Sequence, residues 1–246
     1  MDDPAPARIL LKLSGGFLGT DGHVLDRTRL DFIAQQLRPL IDAGIGVGIV
    51  TGGGNFLRGA TNTRLGMPRT TLDRMGMVAT LMNGVALAEA LTAAGIPAEN
   101  FSAFPVALEG IQAFSISDAV ALIERGGVPI FTGGTGLPYF STDTAAVVRA
   151  LQIEADLLVK GSRVDGIYER DPERHPDAQR FDRISYHEVL DRGLAVMDQA
   201  AFATAHQNRL PLVVLDIGTP GILGALLSGT ARCTRVVPER EGESHE

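Results

Sequence analysis

Ile45-Gly46-Val47-Gly48-Ile49-Val50-Thr51-Gly52-Gly53-Gly54-Asn55-Phe56-Leu57-Arg58-Gly59 is an apolar, β-branched run that ends abruptly in three glycines and then an arginine. Ile45–Val50 has the length and composition of a buried strand. The glycines after it permit positive φ and leave N–H groups bare, and Arg58 can fork onto phosphate oxygens in a bidentate way. The bland alternative is a flexible loop with a solvated arginine. Against it stands the ordering entropy of running a strand straight into three glycines, which a bound ligand would offset.

Working outward, five more short apolar runs read as strands: Arg8–Leu13, Ala98–Phe104, Val128–Phe131, Leu157–Lys160 and Leu212–Leu215. Between them lie segments of helical period near Asp26–Ala43, Thr71–Ala94, Asp118–Arg125, Asp143–Ile153, Ser185–Asp191 and Asp198–Gln207. Asp26, Ser117, Thr142 and Ser185 are the expected caps, with Glu188 completing a capping box at Ser185. Strand alternating with helix predicts a doubly wound α/β fold with a parallel sheet. The length, 246 residues, suits one such domain, with a soft lobe boundary near Leu151. Residues 1–7 and the tail 239–246 are expected to be disordered.

Composition narrows the function classes. Hydrophobic residues at 45% and charged residues at 21% describe an ordinary globular chain. A formal charge of −7 argues against a general nucleic-acid binder, so any bound phosphate must be held by local groups. The single cysteine, Cys233, has no partner for an internal disulfide and reads as a packing residue. The start, MDDPAPAR, lacks the basic and apolar regions of a signal peptide, and no apolar run approaches a membrane span, so a cytoplasmic protein is expected.

Three more strand ends carry possible chemistry. Lys12-Leu13-Ser14-Gly15-Gly16 puts a lysine before a small turn, where an ammonium can sit against phosphoryl oxygens, or serve structure alone. Its order is not that of the P-loop, whose lysine follows the glycines. Thr132-Gly133-Gly134-Thr135-Gly136-Leu137-Pro138-Tyr139-Phe140-Ser141-Thr142-Asp143 offers hydroxyls and amides suited to a nucleobase or ribose. Asp143 there either orients two lysines or merely caps a helix. Lys160 to Pro172 either holds an adenosine unit, with Tyr168 at the base and Asp171 near ribose or metal, or is a hairpin with a solvated charge run. The histidines lack ligand spacing, and Met75, Met77 and Met82 read as core or interface fillers.

Taken together the motifs ILLKLSG (9–15), GGGNFLRG (52–59), DRMGMVATLMNG (73–84), GTGLPYFSTDTAA (134–146), VDGIYERDP (164–172) and VMDQAAF (196–202) resemble the bacterial UMP kinases of the amino-acid-kinase superfamily. The resemblance implies a three-layer αβα sandwich with a mainly parallel central sheet, an acceptor lobe over 8–150 and an ATP lobe over 151–237. It implies transfer of the γ-phosphoryl group of ATP to UMP. Lys12, Leu13, Ser14, Gly15, Gly54, Arg58, Ser162, Tyr168 and Asp171 would bind ATP. Gly53, Asp73, Thr135, Gly136, Leu137, Pro138, Tyr139, Phe140, Ser141 and Thr142 would bind UMP. Lys12, Arg58, Asp143 and Lys160 would be catalytic. Mg²⁺ would accompany ATP without a dedicated protein cage. The family is typically homohexameric, with GTP as activator and UTP as inhibitor. The chain departs from the usual pattern at Gly16, Leu137, Arg163 and Gly19–Val24.

Overall fold

The computed structural model describes residues 6–57, 65–194 and 197–238. In chain order these form β1 (Arg8–Leu13), a 3₁₀ turn (Gly15–Phe17), α1 (Arg27–Asp42), β2 (Gly46–Thr51), α2 (Arg69–Ala93), β3 (Ala98–Ser102), β4 (Ile111–Ala113), α3 (Ile116–Glu124), β5 (Val128–Thr132) and α4 (Thr142–Gln152). Then come β6 (Leu157–Ser162), β7 (Ile167–Tyr168), β8 (Arg180–Phe181), β9 (Arg183–Ser185), α5 (Tyr186–Asp191), α6 (Gln199–Gln207), β10 (Leu212–Asp216), α7 (Ile222–Leu227) and β11 (Cys233–Val237). Nine strands make one sheet in the order β4-β3-β5-β2-β1-β6-β10-β11-β9, while β7 and β8 pair as a separate antiparallel hairpin. Within the large sheet only the β10–β11 pairing is antiparallel.

Helices cover both faces, so β1 is apolar along nearly its whole length instead of alternating. Ile9, Leu11 and Leu13 pack with Ile33 and Leu37 of α1, Leu87 of α2 and Leu223 of α7. Leu10 points the other way, into Ile123 of α3, Val147 of α4, Tyr186 of α5 and Phe202 of α6. Three layers result, as the resemblance implies. Lys12 shares the parity of Leu10 and therefore emerges on the α4 side.

β1 lies mid-sheet, with β2, β5, β3 and β4 on one flank and β6 and β10 on the other. Where a doubly wound sheet reverses direction in this way, a crevice opens beyond the carboxyl ends of its strands. At that crevice β1 and β6 pair in parallel with Lys12 opposite Lys160.

Several local expectations are corrected. Ser115, not Ser117, caps α3, accepting from the Asp118 N–H. Ser141, not Thr142, caps α4, accepting from the Asp143 and Thr144 N–H groups. Asp26 and the Ser185–Glu188 box cap as expected. Ala7, expected to be disordered, is held in place: its N–H donates to Asp156 and its carbonyl accepts from Gly46; residues 1–5 and 239–246 lie outside the described residues. Met75 and Met82 are exposed, which removes the core alternative for both. Contrary to the sequence reading, α2 is long and apolar enough for a membrane span. Its inner stripe nonetheless packs on the sheet and holds the buried polar residues Thr80 and Asn83.

Candidate active site

Lys12 and Lys160, brought level by the β1–β6 register, both reach one carboxylate. Lys12 Nζ lies 2.6 Å from Asp143 Oδ1, and Lys160 Nζ donates to Asp143 Oδ2 at 2.8 Å. All three side chains are no more than 15% exposed. Burial alone would raise the Asp143 pKa, but the two ammonium groups overcome it and hold the carboxyl below its usual range. Burial pushes the Lys160 ammonium down, helped by Lys12 and opposed by Asp143. One carboxylate against two lysines, with Asp198 also acting on Lys160, leaves positive potential in a low-dielectric setting, where an anion is favoured. The N-terminus of α4, where Asp143 sits in the first turn, adds its dipole to the same place.

The glycine turns after β1 and β2 press directly against each other. The Gly52 N–H donates to the Leu13 carbonyl at 2.9 Å, and a β-carbon on Gly15 would collide with the Gly52 carbonyl. A β-carbon on Gly53 would lie 2.6 Å from the Gly76 carbonyl in α2. Gly54 remains partly open, and Ser14 is half-buried. Arg58, at the end of the second turn, lies outside the described residues.

The segment from Thr132 into α4 forms the opposite wall. Gly133, Gly134 and Gly136 all have positive φ, which glycine adopts without steric cost. Tyr139 has φ 72°, a strained value for a bulky residue, and its N–H donates to Asp73 Oδ2 at 2.9 Å. Arg69 approaches Asp73 at 3.5 Å and lies over the Tyr139 ring. Asp73 is thus brought to the acceptor segment, at its Tyr139 end. Thr135 closes a local turn on Leu137, while Leu137, Tyr139 and Phe140 project outward and Pro138 is half-buried. Thr142 packs toward Gly52, joining this segment to the first glycine wall.

On the other side of Lys160 a cavity of about 540 Å³ is lined by Ser162, Tyr168, Asp171 and Val214, among others. The segment does not close a hairpin on itself: β7, within it, pairs with β8 beyond its end, and the segment walls a cavity. Tyr168 does not stand alone: its hydroxyl donates to Asp165 at 2.5 Å. Asp171 closes its own turn, accepting from the Glu173 N–H. Arg163 faces away, into a larger cavity of about 1040 Å³ shared with Gly16, Gly54 and Arg29.

Sequence reasoning assigned no role to four residues that organise this site. Thr80 accepts from the Gly133 N–H, and Asn83 pairs with Asn55. Asp198 caps α6 and accepts from the hydroxyls of Ser141 and Thr144 at the start of α4. Thr80 and Asn83 carried a legible signal, polar residues interrupting the inner stripe of an apolar helix. Asp198 carried none beyond its place as a cap.

The Amino acid kinase family profile matches residues 7–216. A uridylate kinase from Brucella anthropi is 46% identical over 234 residues, covering 95% of this chain and 97% of the relative. One from Vibrio cholerae is 45% identical over 234 residues, covering 95% and 96%. Among solved structures, a UMP kinase from Ureaplasma parvum superposes with TM-score 0.88 at 34% identity, covering 94% of this chain and 98% of its own. A UMP kinase from Bacillus anthracis gives TM-score 0.90 at 30% identity, covering 96% and 97%.

Proposed function

The chain belongs to the amino acid kinase family, and on that premise we propose that it transfers the γ-phosphoryl group of ATP to UMP, giving UDP for pyrimidine nucleotide synthesis. The observation that carries the reading is the buried Lys12–Asp143–Lys160 group, one positive charge in excess, set between two glycine turns and the N-terminus of α4. Phosphoryl transfer requires in-line positioning and neutralisation of charge more than covalent participation by the protein. A group that holds two ammonium ions still with one carboxylate supplies that neutralisation without reorganising.

In this reading the adenosine of ATP occupies the cavity lined by Ser162, Tyr168 and Asp171, and its phosphates run along Ser14, Gly15 and Gly54 to Lys12 and Lys160. UMP lies along Thr135–Thr142, with Gly53 at its phosphate and Asp73 at its ribose. Arg58 would span donor and acceptor phosphates. Asp143 is already paired with both lysines, so Mg²⁺ is assigned to the ATP phosphates and would arrive as part of that substrate. It would supply neutralisation of phosphate charge, beside that supplied by Lys12 and Lys160.

The enzyme is read as a cytoplasmic homohexamer. Support for assembly comes from the outer face of α2, where Met75, Val78, Met82 and Val85 are all at least 40% exposed beside Phe56 and Leu57. Activation by GTP and inhibition by UTP rest on the family resemblance. A coupled ADP-release assay across UMP, CMP, dUMP and carboxylate acceptors tests the acceptor assignment. UMP is expected to lead by a wide margin, and parity with the others refutes it. Mass measurement in solution tests the hexamer.

A further inference from the structure

Two glycine turns, Gly52–Gly54 after β2 and Gly133–Gly134 after β5, end neighbouring strands on one side of the lysine group, and both are fastened to one helix. The inner face of α2 meets them in succession. Gly76 and Ala79 receive Gly53 so closely that no β-carbon fits there. Thr80, 1% exposed, donates its hydroxyl hydrogen to the Met77 carbonyl at 2.7 Å, which leaves its oxygen to accept from the Gly133 N–H at 2.7 Å. Asn83, fully buried, donates to the Gly52 carbonyl at 2.6 Å and to Asn55 Oδ1 at 2.8 Å. It accepts in return from Asn55 Nδ2 at 2.9 Å. Gly84 then admits Thr132 and Asn100 where a β-carbon would clash.

These contacts are more than core filling. A helix interior made for packing alone would offer apolar side chains, since a buried hydroxyl or amide is costly unless every bond it can make is made. Here every bond that the Thr80 and Asn83 side chains send out of the helix goes to a main-chain group of a glycine turn or to Asn55, which follows the first turn. Glycine backbone has little stiffness of its own, so the separation of the two turns is set by whatever grips their peptide groups. The grips are Asn83 on the first turn and Thr80 on the second, one helical turn apart and therefore on the same face.

We propose that Thr80 and Asn83 are positioning residues for phosphoryl transfer: from α2 they fix the Gly133–Gly134 turn, which leads into the UMP segment, against the Gly52–Gly54 turn that takes the phosphates, and so set how UMP is presented to ATP. This role rests on the UMP kinase reading. Because in-line transfer depends steeply on the approach of the reacting atoms, loosening either grip lowers turnover while each substrate alone still binds.

The test uses three ligands on the full chain: ATP, UMP and a bisubstrate analogue joining adenosine and uridine through a polyphosphate bridge. The variants are Thr80→Val and Thr80→Ser, with Asn83→Asp, which keeps the shape of the amide and removes its N–H donors. For Thr80→Val and Asn83→Asp, affinities for ATP and for UMP are expected within about threefold of wild type, while kcat and affinity for the analogue fall at least about tenfold. Thr80→Ser, which keeps the oxygen that accepts from Gly133, is expected to restore both. Should Thr80→Val not yield folded protein, the Asn83→Asp comparison carries the same expectation. Wild-type protein that takes the analogue alongside folded variants that match it in kcat and analogue affinity overturns the positioning role alone. Wild-type protein that binds ATP but neither UMP nor the analogue overturns the acceptor assignment beneath it.

Discussion

Two carboxylates in this molecule each sit between two polar partners, and their surroundings could hardly differ more. Asp143 lies between Lys12 and Lys160, in the crevice above mid-sheet strands, with every member of the group largely buried. Asp165 lies between Tyr168 and Arg232 at the edge hairpin, where the Arg232 side chain is 71% exposed. Both carboxyls are held below their usual range. At each, burial acts in the opposite direction: at Asp143 two lysines overcome it, and at Asp165 the Tyr168 and Arg232 hydrogen bonds do. The similarity ends there. In the crevice, removal of the carboxylate strands two ammonium charges in a low dielectric, whereas at the edge water and salt take the missing partner's place. The first arrangement can store electrostatic preorganisation for a reaction, and the second can only shape a pocket wall.

The sharpest way to break this contrast is at the crevice. Lys12→Ala is expected to lower kcat by roughly hundreds-fold or more while leaving the circular dichroism spectrum unchanged. A loss under tenfold would remove the lysine group from the mechanism. Asp143→Asn should follow, with activity reduced by about 10²-fold and stability by about 3–5 kcal/mol in denaturant titration, because two buried ammonium groups then face each other without a counter-charge.

The pH dependence of that second variant sharpens the comparison. Because the folded pKa of Asp143 is depressed, its contribution to stability is present above the ordinary value of 3.8 and is lost as pH falls through the lower folded value. The Tm gap between wild type and Asp143→Asn should therefore hold constant near neutrality and narrow on acidification below about pH 3.8. A gap independent of pH down to the acid transition would contradict the ion-pair account. At the other end, the depressed Lys160 pKa places loss of its proton below 10.5, so activity should decline before that pH is reached.

A third substitution probes packing at the crevice instead of charge. Gly53→Ala brings a β-carbon within 2.6 Å of the Gly76 carbonyl and 2.8 Å of Ala79 Cβ, both belonging to a packed helix. A stability loss of about 1–3 kcal/mol is expected from overpacking. The drop in kcat should exceed any change in KM for ATP. The smallest effect belongs to the edge hairpin. Tyr168→Phe removes one hydrogen bond to Asp165 and should raise KM for ATP by about fivefold or less, with kcat unchanged. Raising the salt concentration should shrink the difference further. A Tyr168→Phe effect as large as that of Asp143→Asn would erase the distinction between the two regions.

The same two regions divide what was legible in the primary structure. Around the crevice, strand ends and glycines announce themselves. β1 falls on Arg8–Leu13 as read, and β2, β3, β5, β6 and β10 match to within two residues at either end, because each is an apolar run long enough to show its type. Lys12, Asp143 and Lys160 all stand in legible motifs, and pairing with two lysines is one of the two roles the sequence allows Asp143. At the edge, β7, β8 and β9 are two or three residues long and show no period, so they went unread. β4, β11 and α7 were missed as well; the first is three residues long and the last a helix of six. Thr80, Asn83 and Asp198 escaped because a buried polar residue declares its purpose only through the partner it meets.

From the chain of residues alone follow the α/β alternation, the glycine-rich strand ends and the residue types available for phosphate, since strand length, helical period and glycine's freedom are local properties. Folding in three dimensions decided the rest. It set Lys12 level with Lys160 through the register of two strands remote in the chain, Ile9 and Leu157 pairing only three residues below that level. It turned both lysines onto one carboxylate and gave a single helix its hold on two distant turns. Such relations are fixed by packing between segments remote in sequence, and no local pattern encodes which partner a side chain will meet.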